Sequence, residues 1–239
     1  MFPTMAEMDG AGAAAGTGGL VTLRKPWLVG LAVAVYLALW VGWSMQWAWL
    51  DAADSRALDA LYRFGVDRPA WVTFWDVLCT VLGPTAFRIV GLVVIIVALR
   101  RRQLRVALFL VLSVELSGLV TEALKAAAGR PRPATALVFA PSSSFPSGHA
   151  LGVMAAALAL TVIVLPRVRR DLWGWVIASG ALTVLVIGVG RVVLNVHHPT
   201  DVLAGWAAGY LWFAASLLVL ARKPVSSADE TPTAHGSAP

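Results

Sequence analysis

Three of the four histidines in this 239-residue chain stand beside residues that could take part in acid–base or nucleophilic chemistry. His149 follows Ser147-Gly148 directly before an apolar run. A serine at this position caps a helix, and the glycine lets a ligand approach the helix N-terminus, whose free N–H groups attract anions. His149, on the first turn, could then donate a proton to a leaving oxygen.

His197 stands four residues before Asp201, with Pro199 between them at the predicted start of a helix. Asp201 then lies in the first turn, and we expect it to accept a hydrogen bond from the ring of His197. Such a pair fixes the imidazole tautomer and makes the other ring nitrogen a better nucleophile. The adjacent His198 does not fit this spacing, and we interpret it as a helix cap or as support for the pair.

Three basic residues accompany these groups. Lys125 lies on the last turn of a predicted helix that Gly129 and the following prolines end, and Arg132 lies just beyond it. Arg191 closes the apolar segment before His197. Cations held together at one membrane face form an anion clamp, and the guanidinium fork suits phosphate. Glu122, one turn before Lys125, is expected to pair with Lys125 or Arg132.

Each group also has an ordinary structural explanation when it is taken alone. Lysine and arginine beside a membrane commonly anchor a helix in the headgroups. Ser147 with His149 reads equally as a plain cap beside a surface histidine, and Asp201 as a complement to a helix dipole. Only their location on a common side of a membrane would favour a shared ligand.

The composition indicates a membrane protein. Hydrophobic residues make up 59% of the chain and charged residues 13%, with a net charge of +6 and a mean hydropathy of +0.76. An ordinary soluble domain carries about twice that charged fraction, so a cytosolic globule, a disordered chain and a collagen-like fibre are excluded. The single cysteine, Cys79, excludes an internal disulfide and a cysteine zinc site.

The fold class that follows is all-α, a polytopic membrane protein of six transmembrane helices. At about 1.5 Å per residue, each apolar segment approaches or spans a hydrocarbon core of about 30 Å. The segments are Trp27–Leu50, Pro84–Leu99, Leu104–Leu124, Gly148–Leu165, Leu172–Val189 and Pro199–Leu220. We expect one domain over residues 24–222, between disordered tails at 1–23 and 223–239.

The basic residues predict the orientation. Eleven of the 19 lie at four helix ends that six spans place on one side: Arg24, Lys25, Arg100, Arg101, Arg102, Arg105, Arg167, Arg169, Arg170, Arg222 and Lys223. The positive-inside rule makes that side cytoplasmic, with both termini there and no cleaved signal peptide. The candidate site residues then share the extracytoplasmic face, where such charge is costly unless it binds a common ligand.

A short helix is expected between spans one and two. Trp71, Phe74, Trp75 and Leu78 recur with helical spacing, which predicts an interfacial helix with an aromatic belt. The alternative is a short helix that packs on the bundle and has no part in substrate entry.

Three motifs follow one another along the chain: Lys125-x6-Arg132-Pro133, Pro146-Ser147-Gly148-His149 and Arg191-x5-His197-x3-Asp201. Together they resemble the signature of the type 2 phosphatidic acid phosphatase superfamily, which includes membrane lipid phosphatases and vanadium haloperoxidases. The six spans and the segment Asp201-Val-Leu-Ala-Gly205-Trp are similar to its lipid phosphate phosphatase branch, which includes bacterial phosphatidylglycerophosphatase B and undecaprenyl-diphosphate phosphatases. One residue departs from the pattern, because the family usually has serine where this chain has Gly190.

The resemblance implies a role for each matching residue. His197 would attack phosphorus and form a phosphohistidine, Asp201 would orient it, and His149 would protonate the leaving oxygen and then activate water. The phosphoryl oxygens would be held by Lys125, Arg132, Ser147, Gly148 and Arg191. No metal and no cofactor is expected, because positioned cations supply the stabilisation that phosphoryl transfer needs.

The leading hypothesis is a metal-independent phosphatase in the cell membrane that acts on lipid phosphates at the outer leaflet. Polyprenyl diphosphate, phosphatidate and phosphatidylglycerophosphate are the candidate substrates. Two alternatives stay open: a transporter or scramblase of phosphorylated lipids, and a vanadate-dependent haloperoxidase. Nucleic acid is not expected as a partner, because most of the basic residues lie at cytoplasmic helix ends.

Overall fold

The protein is all-α, as predicted. A computed structural model describes residues 25–221, and within that range every regular element is helical. We label the α-helices α1 Pro26–Ser44, α2 Ala48–Gly65, α3 Pro69–Val81, α4 Pro84–Arg100, α5 Leu104–Leu110, α6 Ser117–Ala128, α7 Gly148–Val164, α8 Trp173–Val193 and α9 Pro199–Ala221. Short 3₁₀ turns, Leu165–Arg167 and Arg170–Leu172, join α7 to α8. The predicted tails at 1–23 and 223–239 lie outside the described residues.

Six helical regions are long and apolar enough to cross a membrane, which confirms the predicted number. They are Pro26–Ser44, Pro69–Arg100, Leu104–Ala128, Gly148–Arg167, Arg170–Val193 and Pro199–Leu220. Many large apolar side chains on these helices are exposed, among them Leu31, Ile89 and Trp175. Lipid tails would cover such faces.

The first two spans differ from their predicted bounds. α1 ends at Ser44 rather than near Leu50, because the chain turns at Gln46, whose φ is 51°. The aromatic helix expected at the interface is α3, and only two residues separate it from α4, so both belong to one apolar region of 32 residues. The segment between spans therefore holds a second helix, α2, which composition did not predict.

The third span is interrupted by a π-helical turn at Val111–Glu115. Such a turn widens the helix and releases a carbonyl group from the regular hydrogen-bond pattern. The indole Nε1 of Trp212, on α9, donates to the carbonyl oxygen of Leu112 at 2.7 Å. This contact satisfies a backbone acceptor and ties the third span to α9.

The centre of the bundle is formed by α7 and α9. About half of each span is buried (50% and 56%), against 11% for α1. Gly205 and Gly209 allow α9 to approach α7 backbone to backbone: a Cβ on these residues would lie 2.6 Å from the Ser147 carbonyl oxygen and 2.5 Å from the Leu151 carbonyl oxygen. The close contact brings the N-termini of both helices together, where the Ser147 amide donates to the Asp201 carbonyl oxygen at 2.9 Å.

A buried apolar cluster supports the segment between α8 and α9. It contains Cys79, Val153, Ile187, Leu194 and Val196. Leu194 and Val196 are fully buried on either side of Asn195, whose positive φ of 54° turns the chain. The residues that follow, beginning with His197, are thereby held in one position.

Candidate active site

The residues that the sequence analysis singled out come together at one end of the bundle. Lys125 lies in the last turn of α6, and Arg132 lies in the loop after it. Ser147 to His149 begin α7, and Arg191 lies in the last turn of α8. His197 and Asp201 flank the start of α9. His149 lies within electrostatic range of four of them: Arg191, His197, Lys125 and Arg132.

The tautomer of His197 follows from its contact with Arg132. The ring is buried, and Nη1 of Arg132 lies 3.2 Å from Nε2. A guanidinium can only donate hydrogen bonds, so Nε2 is the acceptor and carries a lone pair. The ring proton then resides on Nδ1, on the side that faces Asp201.

The expected hydrogen bond between His197 and Asp201 is corrected by the structure. Oδ2 of Asp201 lies 3.6 Å from Nδ1 of His197, which is longer than a hydrogen bond. The same oxygen accepts two hydrogen bonds from His198, from its backbone amide at 2.8 Å and from Nδ1 at 3.0 Å. His198, three residues before Asp201, and His197, four residues before it, both face the same oxygen. His198 lies closer and makes the hydrogen bonds.

Arg132 and Lys125 are held by the loop that follows α6. Arg132 donates to the carbonyl oxygens of Pro141, Ser142 and Val196 at 2.8, 3.1 and 2.7 Å. Nζ of Lys125, which is buried, donates to the hydroxyl of Ser142 at 2.8 Å. The loop thus fixes both cations through groups that carry no formal charge, which leaves their charges available to an anion.

Glu122 makes only a weak contact with the site. Its Oε1 lies 3.9 Å from Nζ of Lys125, and its side chain is 65% exposed. Of the two expected partners the structure places it beside Lys125, and solvent reduces the strength of such a pair.

Arg191 is buried, and its Nε has no hydrogen-bond partner among the described residues. Cys79 and Asp76 are its nearest electrostatic neighbours on α3. Burying an N–H without a partner is costly, and this group is well suited to donate to an oxyanion.

The start of α7 has the predicted cap. Ser147 is buried, and its hydroxyl accepts from the amide of Ala150 at 3.5 Å. The ring of His149, on the first turn of α7, lies against Gly83 at the junction of α3 and α4. The aromatic helix α3 therefore contributes to the wall of the site.

The electrostatics of the site keep His197 neutral. Burial lowers its pKa to about 4, and the positive charges of Arg191 and Arg132 act in the same direction, while Asp201 opposes them. Burial and Arg191 also lower the pKa of Arg132 from its usual value. An uncharged imidazole with a lone pair on Nε2 is the form that a nucleophile requires.

The space beside Gly190 explains why a serine is absent there. A Cβ at this position would lie 2.5 Å from Sγ of Cys79 and 2.8 Å from Cε3 of Trp75. Both side chains come from α3, so the α3–α8 contact occupies the volume that a larger residue would need.

Sequence reasoning missed a buried group behind Asp201. Arg130 binds Asp201 and Asp54 through its two Nη atoms, at 2.7 and 2.8 Å, and Thr200 binds both Arg130 and Asp54. Two signals were present in the sequence: Arg130 stands two residues before Arg132, and Asp54 occupies the buried face of α2 between Leu50 and Leu58.

The described residues offer a basic rather than a metal-binding site. In this part of the chain no three His, Cys, Asp or Glu side chains are placed to hold a metal ion together. The groups available to a ligand are three cations, two imidazoles and the amides at the start of α7.

Comparison with known proteins agrees with these motifs. Residues 106–224 match the sequence model of the PAP2 superfamily. The chain carries a PAP2 superfamily domain. The resemblance inferred from the three motifs is thereby confirmed, and all three lie within the matched residues.

Several curated proteins are similar to this chain. A lipid A 1-phosphatase of Rhizobium johnstonii is 35% identical over 127 residues, 48% of each chain. An undecaprenyl-diphosphatase of Sulfolobus acidocaldarius is 38% identical over 66 residues, 28% of each chain. A phosphatidylglycerophosphatase B of Bacillus subtilis is 40% identical over 102 residues, 40% of this chain and 48% of that protein. The chain thus spans half or less of the length of these relatives.

The fold is similar to that of a solved membrane protein. The crystal structure of a transmembrane PAP2-type phosphatidylglycerolphosphate phosphatase from Bacillus subtilis matches with a TM-score of 0.63. The match covers 80% of this chain and 94% of that one, at 22% sequence identity. The similarity of fold therefore extends beyond residues 106–224.

Proposed function

We propose that this protein is a metal-independent phosphatase that hydrolyses phosphate monoesters or diphosphates of membrane lipids. The observation that carries the proposal is the contact between Arg132 and Nε2 of His197, inside a group of cations that also contains Lys125 and Arg191. The contact supports this proposal because it leaves a lone pair on Nε2 of a neutral imidazole beside the cations that would hold a phosphoryl group. Relatives named as phosphatases of three different lipids support the same class of substrate.

The reaction begins when a phosphoryl group enters between the cations. Nη1 of Arg132 turns from Nε2 of His197 to a phosphoryl oxygen, which frees the lone pair. Nε2 then attacks phosphorus in line, the phosphorus–oxygen bond to the lipid breaks, and His149 gives the leaving oxygen its proton. Lys125 and Arg191 stabilise the charge on the remaining oxygens.

The second half of the reaction releases phosphate. His149, now neutral, removes a proton from a water molecule as that water attacks the phosphohistidine. The nitrogen–phosphorus bond breaks, His197 recovers its lone pair, and phosphate leaves. Asp201 stabilises the positive charge of the phosphorylated ring from the Nδ1 side throughout.

We further propose that the site faces the outer leaflet and that both termini are cytoplasmic. The distribution of Arg and Lys between the spans supports this orientation through the positive-inside rule. A site at the ends of α6, α7 and α9 would then meet lipid phosphates at headgroup level. Polyprenyl diphosphate, phosphatidate, phosphatidylglycerophosphate and lipid A phosphate are the substrates to compare.

The test is phosphate release by the purified protein in detergent with EDTA, measured across that panel. Wild type should release phosphate from at least one lipid, and His197→Ala should reduce the rate by at least about 10⁴-fold. Ser179→Ala, on the exposed side of α8, serves as the matched control. Full activity of His197→Ala, or lipid transport without phosphate release, would contradict the proposal.

The intermediate is tested separately. An alkaline quench of wild type with radiolabelled substrate should trap label on the protein, because phosphohistidine survives alkali and not acid. The same quench of His197→Ala should trap none. Turnover of wild type without any trapped label, combined with activity of His197→Ala, would instead indicate direct attack by water.

A further inference from the structure

The catalytic carboxylate Asp201 is part of a buried group of charges that reaches beyond the PAP2 match. Arg130 lies between Asp201 on α9 and Asp54 on α2, and all three are at most 3% exposed. Nη1 binds Oδ1 of Asp201 at 2.7 Å, and Nη2 binds Oδ2 of Asp54 at 2.8 Å. The guanidinium also lies 5.0 Å from the ring centre of Trp43, on α1.

Hydrogen bonds hold the far end of this group as firmly as the near end. Oδ1 of Asp54 accepts from the amide of Thr200 at 3.1 Å, and Oδ2 accepts from the Thr200 hydroxyl at 2.6 Å. That hydroxyl in turn accepts from Nη1 of Arg130 at 2.7 Å. Asp54 therefore binds the first turn of α9, one residue from Asp201, although it comes from a different helix.

The charges in this group do not balance. Two carboxylates share one guanidinium, so the described group carries an excess of one negative charge beside His197. If Arg130 faced Asp201 alone, its positive charge would offset that carboxylate. Because Asp54 takes part of the interaction, Asp201 retains more of its field towards Nδ1 of His197.

The two oxygens of Asp201 also have separate tasks. Arg130 holds Oδ1, which leaves Oδ2 to face the histidines, 3.0 Å from Nδ1 of His198 and 3.6 Å from Nδ1 of His197. A carboxylate free to rotate would present either oxygen. Arg130 thus sets the orientation of the group that stabilises the phosphorylated ring.

We propose that Asp54 and Arg130 are positioning residues for the reaction, which orient Asp201 and preserve its negative charge towards His197. This inference rests on the proposed phosphatase function. It assigns a role to α2, a helix that lies outside the residues matched by the PAP2 family.

The two residues should affect catalysis in opposite electrostatic directions. Asp54→Asn makes the group neutral, whereas Arg130→Gln gives it two negative charges. The other groups that face His197 stay unchanged in both variants: Arg132 in the loop, Arg191 on α8, His149 on α7 and Asp201 itself. Any difference in the protonation of His197 between the variants then originates in the buried group.

The experiment measures kcat, KM and the low-pH limb of kcat/KM on the lipid that wild type hydrolyses. Asp54→Asn should lower kcat by about 10- to 100-fold, the usual loss when a residue supporting a site histidine is removed. KM should change by less than about threefold, because Lys125, Arg132 and Arg191 remain. Asp59→Asn, on an exposed position of α2, is the control and should match wild type.

The pH limb distinguishes positioning from mere structural support. Asp54→Asn should shift the midpoint of the low-pH limb to lower pH by about 0.5–1 unit, because it removes a negative charge near His197. Arg130→Gln should shift this midpoint to higher pH by a similar amount. A structural role would lower the amount of active protein without moving the limb. If only one variant folds, the direction in which its midpoint shifts distinguishes positioning from structural support.

The double variant Asp54→Asn/Arg130→Gln is used if neither single variant folds, since it leaves one buried carboxylate, Asp201, without a cation, whereas Arg130→Gln leaves two. Its limb should coincide with that of wild type while its kcat stays reduced. Unchanged kcat and limb in Asp54→Asn, or shifts in the same direction in both single variants, would overturn the inference. If wild type released no phosphate from any lipid of the panel, that result would instead contradict the proposed function.

Discussion

Arg130 and Arg132 stand two residues apart in one loop and have opposite surroundings. Arg130 is buried between two carboxylates, whereas Arg132 is half-buried and binds backbone carbonyl oxygens and the ring of His197. Pro131 and Pro133 favour an extended polyproline-like backbone, in which residues two apart point in different directions. The same type of side chain is therefore a fixed internal counterion at one position and, in the proposed function, a ligand for substrate at the other.

The largest expected effect distinguishes the two arginines by stability. Arg130→Ala leaves Asp54 and Asp201 buried without their cation, and we expect the free energy of unfolding to fall by about 3–5 kcal/mol. Thermal unfolding of the purified protein in detergent measures the loss. Arg169→Ala removes an exposed pair with Asp171 and should change stability by less than about 1 kcal/mol. Equal unfolding temperatures for Arg130→Ala and Arg169→Ala would contradict the conclusion that the buried Arg130 pairs stabilise the fold.

The second prediction distinguishes them by activity. Arg132→Ala removes the proposed donor to the phosphoryl oxygens, and kcat/KM should fall by about 10²–10³-fold. Stability should fall less than in Arg130→Ala, because no carboxylate is left unpaired. Phosphate release and unfolding are measured on the same preparations, with Arg101→Ala as the control at an exposed position. A loss of stability without a loss of activity would show that Arg132 stabilises the fold and does not bind substrate.

The third prediction concerns the packing beside Arg191, another cation of the site. Gly190→Ser introduces a Cβ into the space of Cys79 and Trp75, and overpacking of this kind costs about 1–3 kcal/mol. Gly190→Ser/Cys79→Ala should recover part of that loss, as read from unfolding temperatures. Gly174→Ser is the control, since no atom lies within 4 Å of a Cβ there. Identical stability of the single and double variants would show that Cys79 does not determine the residue at this position.

The fourth prediction concerns the histidine that both arginines influence, one directly and one through Asp201. Burial lowers the pKa of His197 to about 4, so its neutral form is lost only as the pH falls through that value. The low-pH limb of kcat/KM should have its midpoint near pH 4, rather than near the ordinary histidine value of about 6.5. Unfolding measured at each pH provides the control. A midpoint near 6.5 with intact protein would contradict this environment.

Much of the architecture follows from local sequence properties. The number of spans follows from apolar length, and Gly129 and Ser147 mark helix ends through conformations that only certain residues favour. The π turn at Val111–Glu115 could not be predicted, because its stabilising partner, Trp212, lies on another helix. The break after Ser44 was missed because an apolar count does not detect a single residue with positive φ.

The candidate site was predictable only where its residues recur with fixed spacing. Short motifs that are visible in a single sequence contain His149, His197 and Arg132. Asp54 has no motif, and its partner Arg130 lies far along the chain, so only the folded structure joins them. The closer contact of Asp201 with His198 than with His197 could not be predicted either. It depends on the exact backbone geometry at the start of the helix, which residue spacing does not determine.

The ion pairs of Arg130 with Asp54 on α2 and with Asp201 at the start of α9 bear on how much of the chain the site depends on. The recognisable part of the chain starts at residue 106, yet one of the carboxylates that balance its core arginine is supplied by residue 54. A protein trimmed to the recognisable part would keep every motif and lose the buried counterion. We therefore expect exchange of residues 106–224 between proteins to succeed only when the helix that carries Asp54 is exchanged with them.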